Sequence, residues 1–458
     1  MQDHSGNTEA PHTEGEIRFD QAVLVWLKIS ILSFGGPAGQ IAVMHRLLVD
    51  ELKWVSERRF LHALNFCMLL PGPEAQQLTI YLGWLLHRVR GGVVAGVLFV
   101  LPGAVTVLFL SMIYVTYQEA MAVESIFFGV KAAVLAIVTT ALWRLARKVL
   151  RRMLLVVITV ASFIASFVFS IPFPIVILGA ALAAFLARLA PEGTSDPAIA
   201  QEDMRAIDRR VTGREAPSRG SALRVAIICA VLWLAPVFGL YGWLGAGHVY
   251  TQQGLFFSQV AVVTFGGAYA VLSYMAQQTV GHYGWLSAGE MLDGLGMAET
   301  TPGPLIMVTQ FVGFIGAYRS PGDLDPMLAG TLGALVTTWV TFAPCFLWIF
   351  LGAPFIESLR GNRLLATALT GITAAVVGVV LNLALWFGLR VMFGELVELQ
   401  LPVVGTTLDV PLAASFDLAA SAIAVSAFVA VSLLRVGMIK VLVASAIAGL
   451  ALGSAGLV

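Results

Sequence analysis

Apolar residues run along this chain in long stretches separated by short polar or basic segments. A helix that crosses a bilayer needs about 20 apolar residues. By that measure the stretches 19–36, 60–88, 92–117, 122–144, 153–170 and 173–190 predict spans in the first part of the chain. A polar, charge-rich segment at 191–221 separates them from 222–240, 250–267, 291–317, 327–356, 363–392, 415–433 and 438–456. Together they predict thirteen spans. The stretches 37–59 and 268–290 are too polar or interrupted to count, and they predict amphipathic or loop segments. The first 18 residues are polar and acidic and read as a tail with no cleavable signal.

The pattern repeats. Phe34-Gly35-Gly36 returns as Phe265-Gly266-Gly267, and Pro71-Gly72-Pro73 as Pro302-Gly303-Pro304, both at an offset of 231. Segments 34–73 and 265–304 align over 40 residues without a gap, with twelve identities that include Trp54/Trp285 and Ser56/Ser287. A second block, from Pro102/Pro344 to Val138/Val380, aligns at an offset of 242. The second copy therefore holds 11 more residues, and the segment around Arg319–Pro326 is the natural place for them. Gly/Pro breaks at matching places in two halves are the sequence sign of a transporter's binding region.

Composition fixes the solvent. Hydrophobic residues are 58% of the chain and charged residues 12%, against about 25% charged in soluble domains. The fold expected is an all-α polytopic membrane protein in a lipid bilayer. Net charge is zero, which gives no argument for nucleic acid. Cys67, Cys229 and Cys345 are far apart in apolar runs and read as packing residues. The histidines have no metal-protease spacing, and no flavin or nicotinamide fingerprint is present. No catalysis, metal or cofactor is expected.

Lys and Arg favour cytoplasmic loops. A cytoplasmic N-terminus puts Arg88/Arg90, Arg144 to Arg152, the linker arginines, Arg360/Arg363 and Arg435/Lys440 inside, and leaves the C-terminus outside. Lys53, Arg58 and Arg59 fall on the wrong side of this count unless 37–59 dips into the membrane. Because the stretch 222–249 adds a crossing, the two halves are expected to be inverted. The division is then a tail at 1–18, a first repeat at 19–190, a linker at 191–221, a connecting helix at 222–249 and a second repeat at 250–458.

The segments FGGPAGQIAVM (34–44), LLPGPEAQQLTIYLGWLLH (69–87), FVLPGA (99–104), TFGGAYAVLSYMAQQ (264–278), MLDGLGMAETTPGPLIMVTQFVGFIGAY (291–318) and TTWVTFAPCFLWIFLGAP (337–354) resemble the full-length, two-domain chromate transporters of the CHR family. The resemblance covers nearly all the chain apart from its tail and linker. It implies a protein of the bacterial inner membrane that exports chromate from the cytoplasm and confers resistance, with sulfate or another oxyanion as the alternative cargo. A homodimer is compatible with it.

A tetrahedral dianion needs donors and compensating charge. Helix starts supply N–H groups and about half a positive charge, so the breaks at Gly35, Gly36, Gly72, Gly266, Gly267 and Gly303, enforced by Pro71, Pro73, Pro302 and Pro304, are expected to face each other around the substrate. The alternative is close helix packing. Lys28 and Lys131 lie mid-span, where a charge is costly, and their repeat partners are Gln259 and Thr373. They are expected to hold the anion unless the lysines snorkel or pair with an acid such as Glu74. Gln77 and Thr300 are further donors. Glu74 and Glu299 beside the breaks either carry a coupling proton or pair and cap locally. Two charges moving outward gain about 4.6 kcal/mol per 100 mV of inside-negative potential; the sequence leaves uniport and proton antiport both open.

Overall fold

The computed structural model describes residues 17–34, 36–187, 219–265, 268–353, 363–401 and 406–457. Gly35, Gly266 and Gly267 lie outside the described residues, as do Arg360 and the linker arginines Arg205, Arg209, Arg210 and Arg214. The first repeat holds α1 (Phe19–Leu32), α2 (Gly36–His45), α3 (Glu57–Cys67), α4 (Glu74–Tyr117), α5 (Met121–Val149), α6 (Met153–Phe167) and α7 (Phe173–Leu186). After α8 (Arg219–Leu244) come α9 (Val249–Val263), α10 (Ala268–Ala276), α11 (Ala288–Thr300), α12 (Val308–Arg319), α13 (Pro326–Gly352), α14 (Arg363–Met392), α15 (Leu418–Ser432) and α16 (Met438–Ser454). The protein is mostly helical. Among the described residues, five segments are long and apolar enough to cross a membrane: Glu74–Tyr117, Met121–Val149, Leu223–Leu244, Pro326–Gly352 and Ala366–Met392.

Two expected spans are not single helices. In 291–317 the chain runs down α11, breaks at 301–304 and returns. Arg319, the last residue of α12, donates to Glu290 Oε1 at 2.6 Å and to the Trp285 carbonyl at 3.2 Å, both at the beginning of α11. In 60–88 the rings of Phe66 and Tyr81 meet at 5.6 Å, although fifteen residues of straight helix would separate them by about 22 Å. Prolines without N–H groups and glycines with positive φ interrupt the ladder at both places. Gly72 has φ +122 and Gly303 φ +96, and a Cβ at Gly72 would press on the Gln77 amide and the Cys345 sulfur.

The stretches 37–59 and 268–290, expected as amphipathic or loop segments, are largely helical and also fold back. Phe256 of α9 packs on Tyr274, Tyr283 and Trp285, all beyond the break, at 5.5–6.0 Å. In the first repeat Thr79 donates to the Met44 sulfur, and His87, at the end of that arm, meets the Ile17 carbonyl at 2.8 Å. α2 therefore returns beside the arm that ends at the beginning of α1. Both stretches end in a π-helical turn, Arg46–Glu51 and Gln277–His282, at positions 231 apart.

α4 bends at His87 and Arg88, where the second repeat has the connection Ser320–Asp325 between two separate helices. The expected extra residues fall there. Beyond the bend, Gly92 faces Phe350 and Gly96 faces Phe346, so α4 and its repeat counterpart α13 run antiparallel. The last helices are exchanged between repeats. Gly129 of α5 sits against the Ser445 carbonyl and Gly449 of α16, while Gly371 of α14 sits against the Ala180 carbonyl and Ala184 of α7. A two-stranded antiparallel ribbon, β1 (Leu396–Leu401) and β2 (Thr406–Pro411), follows α14 and is tied to it by Arg390–Asp409 at 2.5 Å. The all-α expectation missed it, because LVELQL alternates inside a region read only for long apolar runs.

Gly129→Leu puts a side chain where the α16 backbone lies. Overpacking costs about 1–3 kcal/mol, so the apparent melting temperature of the detergent-purified protein is expected to fall by several degrees, and Gly179→Leu, in open space on α7, is expected to change it little.

Candidate functional site: the joined helix breaks

The four breaks meet. The Gly72 N–H donates to the Thr264 carbonyl at 2.8 Å, and the Gly303 N–H donates to the Ser33 carbonyl at 2.9 Å. Each bond joins the proline break of one repeat to the glycine break of the other, and the two are related by the 231 offset. The beginnings of α2 and α4 come from the first repeat, and those of α10 and the 3-10 turn Leu305–Met307 leading into α12 come from the second. Helix starts carry partial positive charge and unsatisfied N–H groups, so their convergence makes a locus suited to an anion.

Glutamines brace it. Gln40 Nε2 donates to the Gly303 carbonyl at 2.5 Å, Gln77 Nε2 to the Pro71 carbonyl at 2.6 Å and Gln310 Nε2 to the Ala104 carbonyl at 2.9 Å. Gln77, expected as a donor to substrate, spends its N–H on the break. Gln76 is fully buried, and among the described residues neither its Oε1 nor its Nε2 has a partner. Gln76 thus carries an unsatisfied amide in the first turn of α4. Glu299 is buried with Oε1 accepting from Tyr269 at 2.6 Å, and Glu74, at the first residue of α4, feels the charge of Lys148.

The other expected residues lie elsewhere. Lys28 and Gln259 are exposed on α1 and α9, opposite the faces that pack; the seven-residue spacing to Gly35 did not carry Lys28 inward because α1 ends before it. The hydroxyls of Thr300 and Thr373 bond back to the Gly296 and Leu369 carbonyls of their own helices. Lys131 pairs with Asp293 Oδ1 at 3.3 Å, and Tyr114 donates to Asp293 Oδ2 at 2.8 Å. The mid-span lysine thus has an acid partner, though not Glu74. Asp293 was legible as an acid inside MLDGLGM, where a buried charge must find a partner.

On one side a cavity of about 970 Å³ reaches the first break. Ala38 and Gly39 line it together with Thr140, Arg144, Arg147 and Arg435. Arg147 stacks over Trp143 at 4.5 Å, and Arg144 acts electrostatically on Tyr269. No cluster of potential metal ligands occurs among the described residues.

The chain is similar to known proteins over most of its length. A family model described as chromate transporter matches residues 21–185 and 251–450. A chromate transport protein of Pseudomonas aeruginosa is 31% identical over 79% of both chains. One of Cupriavidus metallidurans is 28% identical over 81% of this chain and 82% of its own length. A probable chromate transport protein of Synechococcus elongatus is likewise 28% identical, over 81% and 84%. No solved structure matches.

Removing one partner of a buried pair costs about 3 kcal/mol or more. Asp293→Ala is expected to destabilise the protein by about that amount, and Lys131→Met added to it to recover most of the loss, as measured by thermal unfolding in detergent.

Proposed function

The chain belongs to the chromate transporter family, and from that premise we propose that it carries chromate outward across the bacterial inner membrane, binding it at the joined helix breaks. The observation that carries the proposal is the reciprocal pair of bonds, Gly72 to Thr264 and Gly303 to Ser33. It brings four helix starts to one point and leaves the Gln76 amide beside them. Chromate is a dianion, and converging N–H groups with partial positive charge suit it.

On this reading the repeats are inverted, as the antiparallel α4 and α13 support. The paired helices α1–α2 and α3 with the first arm of α4 enter and leave on the cytoplasmic face, and α9–α10 and α11–α12 do so on the periplasmic face. Lys53, Arg58 and Arg59 then fall inside with the other basic residues, which removes the conflict in the charge count. On this reading nine of the described helices cross: the second arm of α4, α5 to α8 and α13 to α16. The N-terminus is cytoplasmic and the C-terminus periplasmic, with thirteen crossings replaced by nine and four folded-back pairs.

The cavity with Arg144, Arg147 and Arg435 opens to the cytoplasm and gathers the anion, and the membrane potential drives it outward. Sulfate fits the same physics, so competition between the two oxyanions identifies the preferred cargo. Arg144→Gln with Arg147→Gln is expected to lower chromate efflux from proteoliposomes at least tenfold at low salt, and less at high salt, with insertion intact. Unchanged efflux at low salt would remove the cavity from the path.

A further inference from the structure

We infer that Glu299 is a proton site within the anion site, and that a proton moves outward with each chromate rather than inward against it. The inference rests on the anion site proposed above. Glu299 is 2% exposed. Its Oε1 accepts the Tyr269 hydroxyl, and its Oε2 has no hydrogen-bond partner. That oxygen lies 4.0 Å from where a Cβ on Gly36 would stand, at the first residue of the ten-residue helix α2. The carboxyl therefore occupies a helix start that the anion would use.

An ionised carboxylate there competes with the substrate and repels it. Both negative charges cannot share a water-poor site cheaply, just as two carboxylates in one site cannot both ionise. The bound state therefore keeps Glu299 neutral. Linkage is reciprocal: whatever factor a proton on Glu299 adds to anion affinity, the anion adds to proton affinity. The occupied carrier then moves one net negative charge rather than two.

The surrounding charges do not alter this. From α10, Tyr269 faces Glu299; from α5, Arg144 acts on Tyr269, and Lys131 is held by Asp293. From α4, Glu74 feels Lys148, and Tyr114 is bonded to Asp293. From α12, Arg319 is bonded to Glu290 at the far end of α11. Arg390 of α14 is bonded to Asp409. No cation among the described residues is paired with its carboxylate, so a proton is the group available to neutralise it.

The test is charge stoichiometry in proteoliposomes holding the full-length protein. Chromate is the probe, at alkaline pH where it stays a dianion in solution, and the potential is set independently of the pH gradient. Wild type is expected to move one net charge per chromate and Glu299→Gln two. In wild type the flux falls up to about tenfold per pH unit where Glu299 loses its proton, and in Glu299→Gln it is flat. Two charges per chromate in wild type overturn the inference while leaving the transporter reading intact. One charge in Glu299→Gln overturns the assignment to Glu299. Absence of chromate flux in wild type overturns the transporter reading, and this inference falls with it. The wild-type stoichiometry decides the matter even if the variant does not insert.

Discussion

Everything in this fold depends on satisfying backbone groups where helices stop inside an apolar protein. In hydrocarbon an unpaired N–H or carbonyl has no water to bond, so broken helices survive only where protein or a cavity takes over. Here each repeat solves the problem for the other. The break with proline supplies an N–H from its central glycine, and the break with two glycines supplies the carbonyl before its phenylalanine. Neither proline break satisfies its central glycine N–H within its own repeat. That mutual need explains why the two cannot sit side by side as independent domains.

The same interdependence governs packing. Helices in lipid gain little from burying apolar surface against each other and rely on close van der Waals approach. Gly129 and Gly449 let α5 and α16 touch backbone to backbone, and Gly371 does the same for α14 against α7. Each contact crosses from one repeat to the other. The long helices α5 and α14 are thus clasped by the terminal helices of the opposite repeat.

The repeat, the membrane class and the meeting of the breaks were legible because glycine and proline report backbone geometry directly. Span counting failed where it treated apolar length as crossing: LLPGPEAQQ is apolar enough, yet its prolines turn the chain around. Lysine positions misled for a different reason. Lys28 is placed by the rotation of α1, which residue spacing from a break cannot fix, while Lys131 is placed by Asp293, 162 residues away in the sequence. The Gln40 brace was invisible because its partner is a carbonyl in the other repeat.

The asymmetry between the halves now has a location. At the positions equivalent to Lys131 and Asp293 the opposite repeats carry Thr373 and His62, neither of them an acid. The ion pair of Lys131 with Asp293 ties α5 to α11, and the arginine-lined cavity reaches the first break. A symmetric molecule would have no reason to open on one face rather than the other. The repeat brings the breaks together, and the departures from it at Lys131 and Asp293 mark where the two halves pack differently.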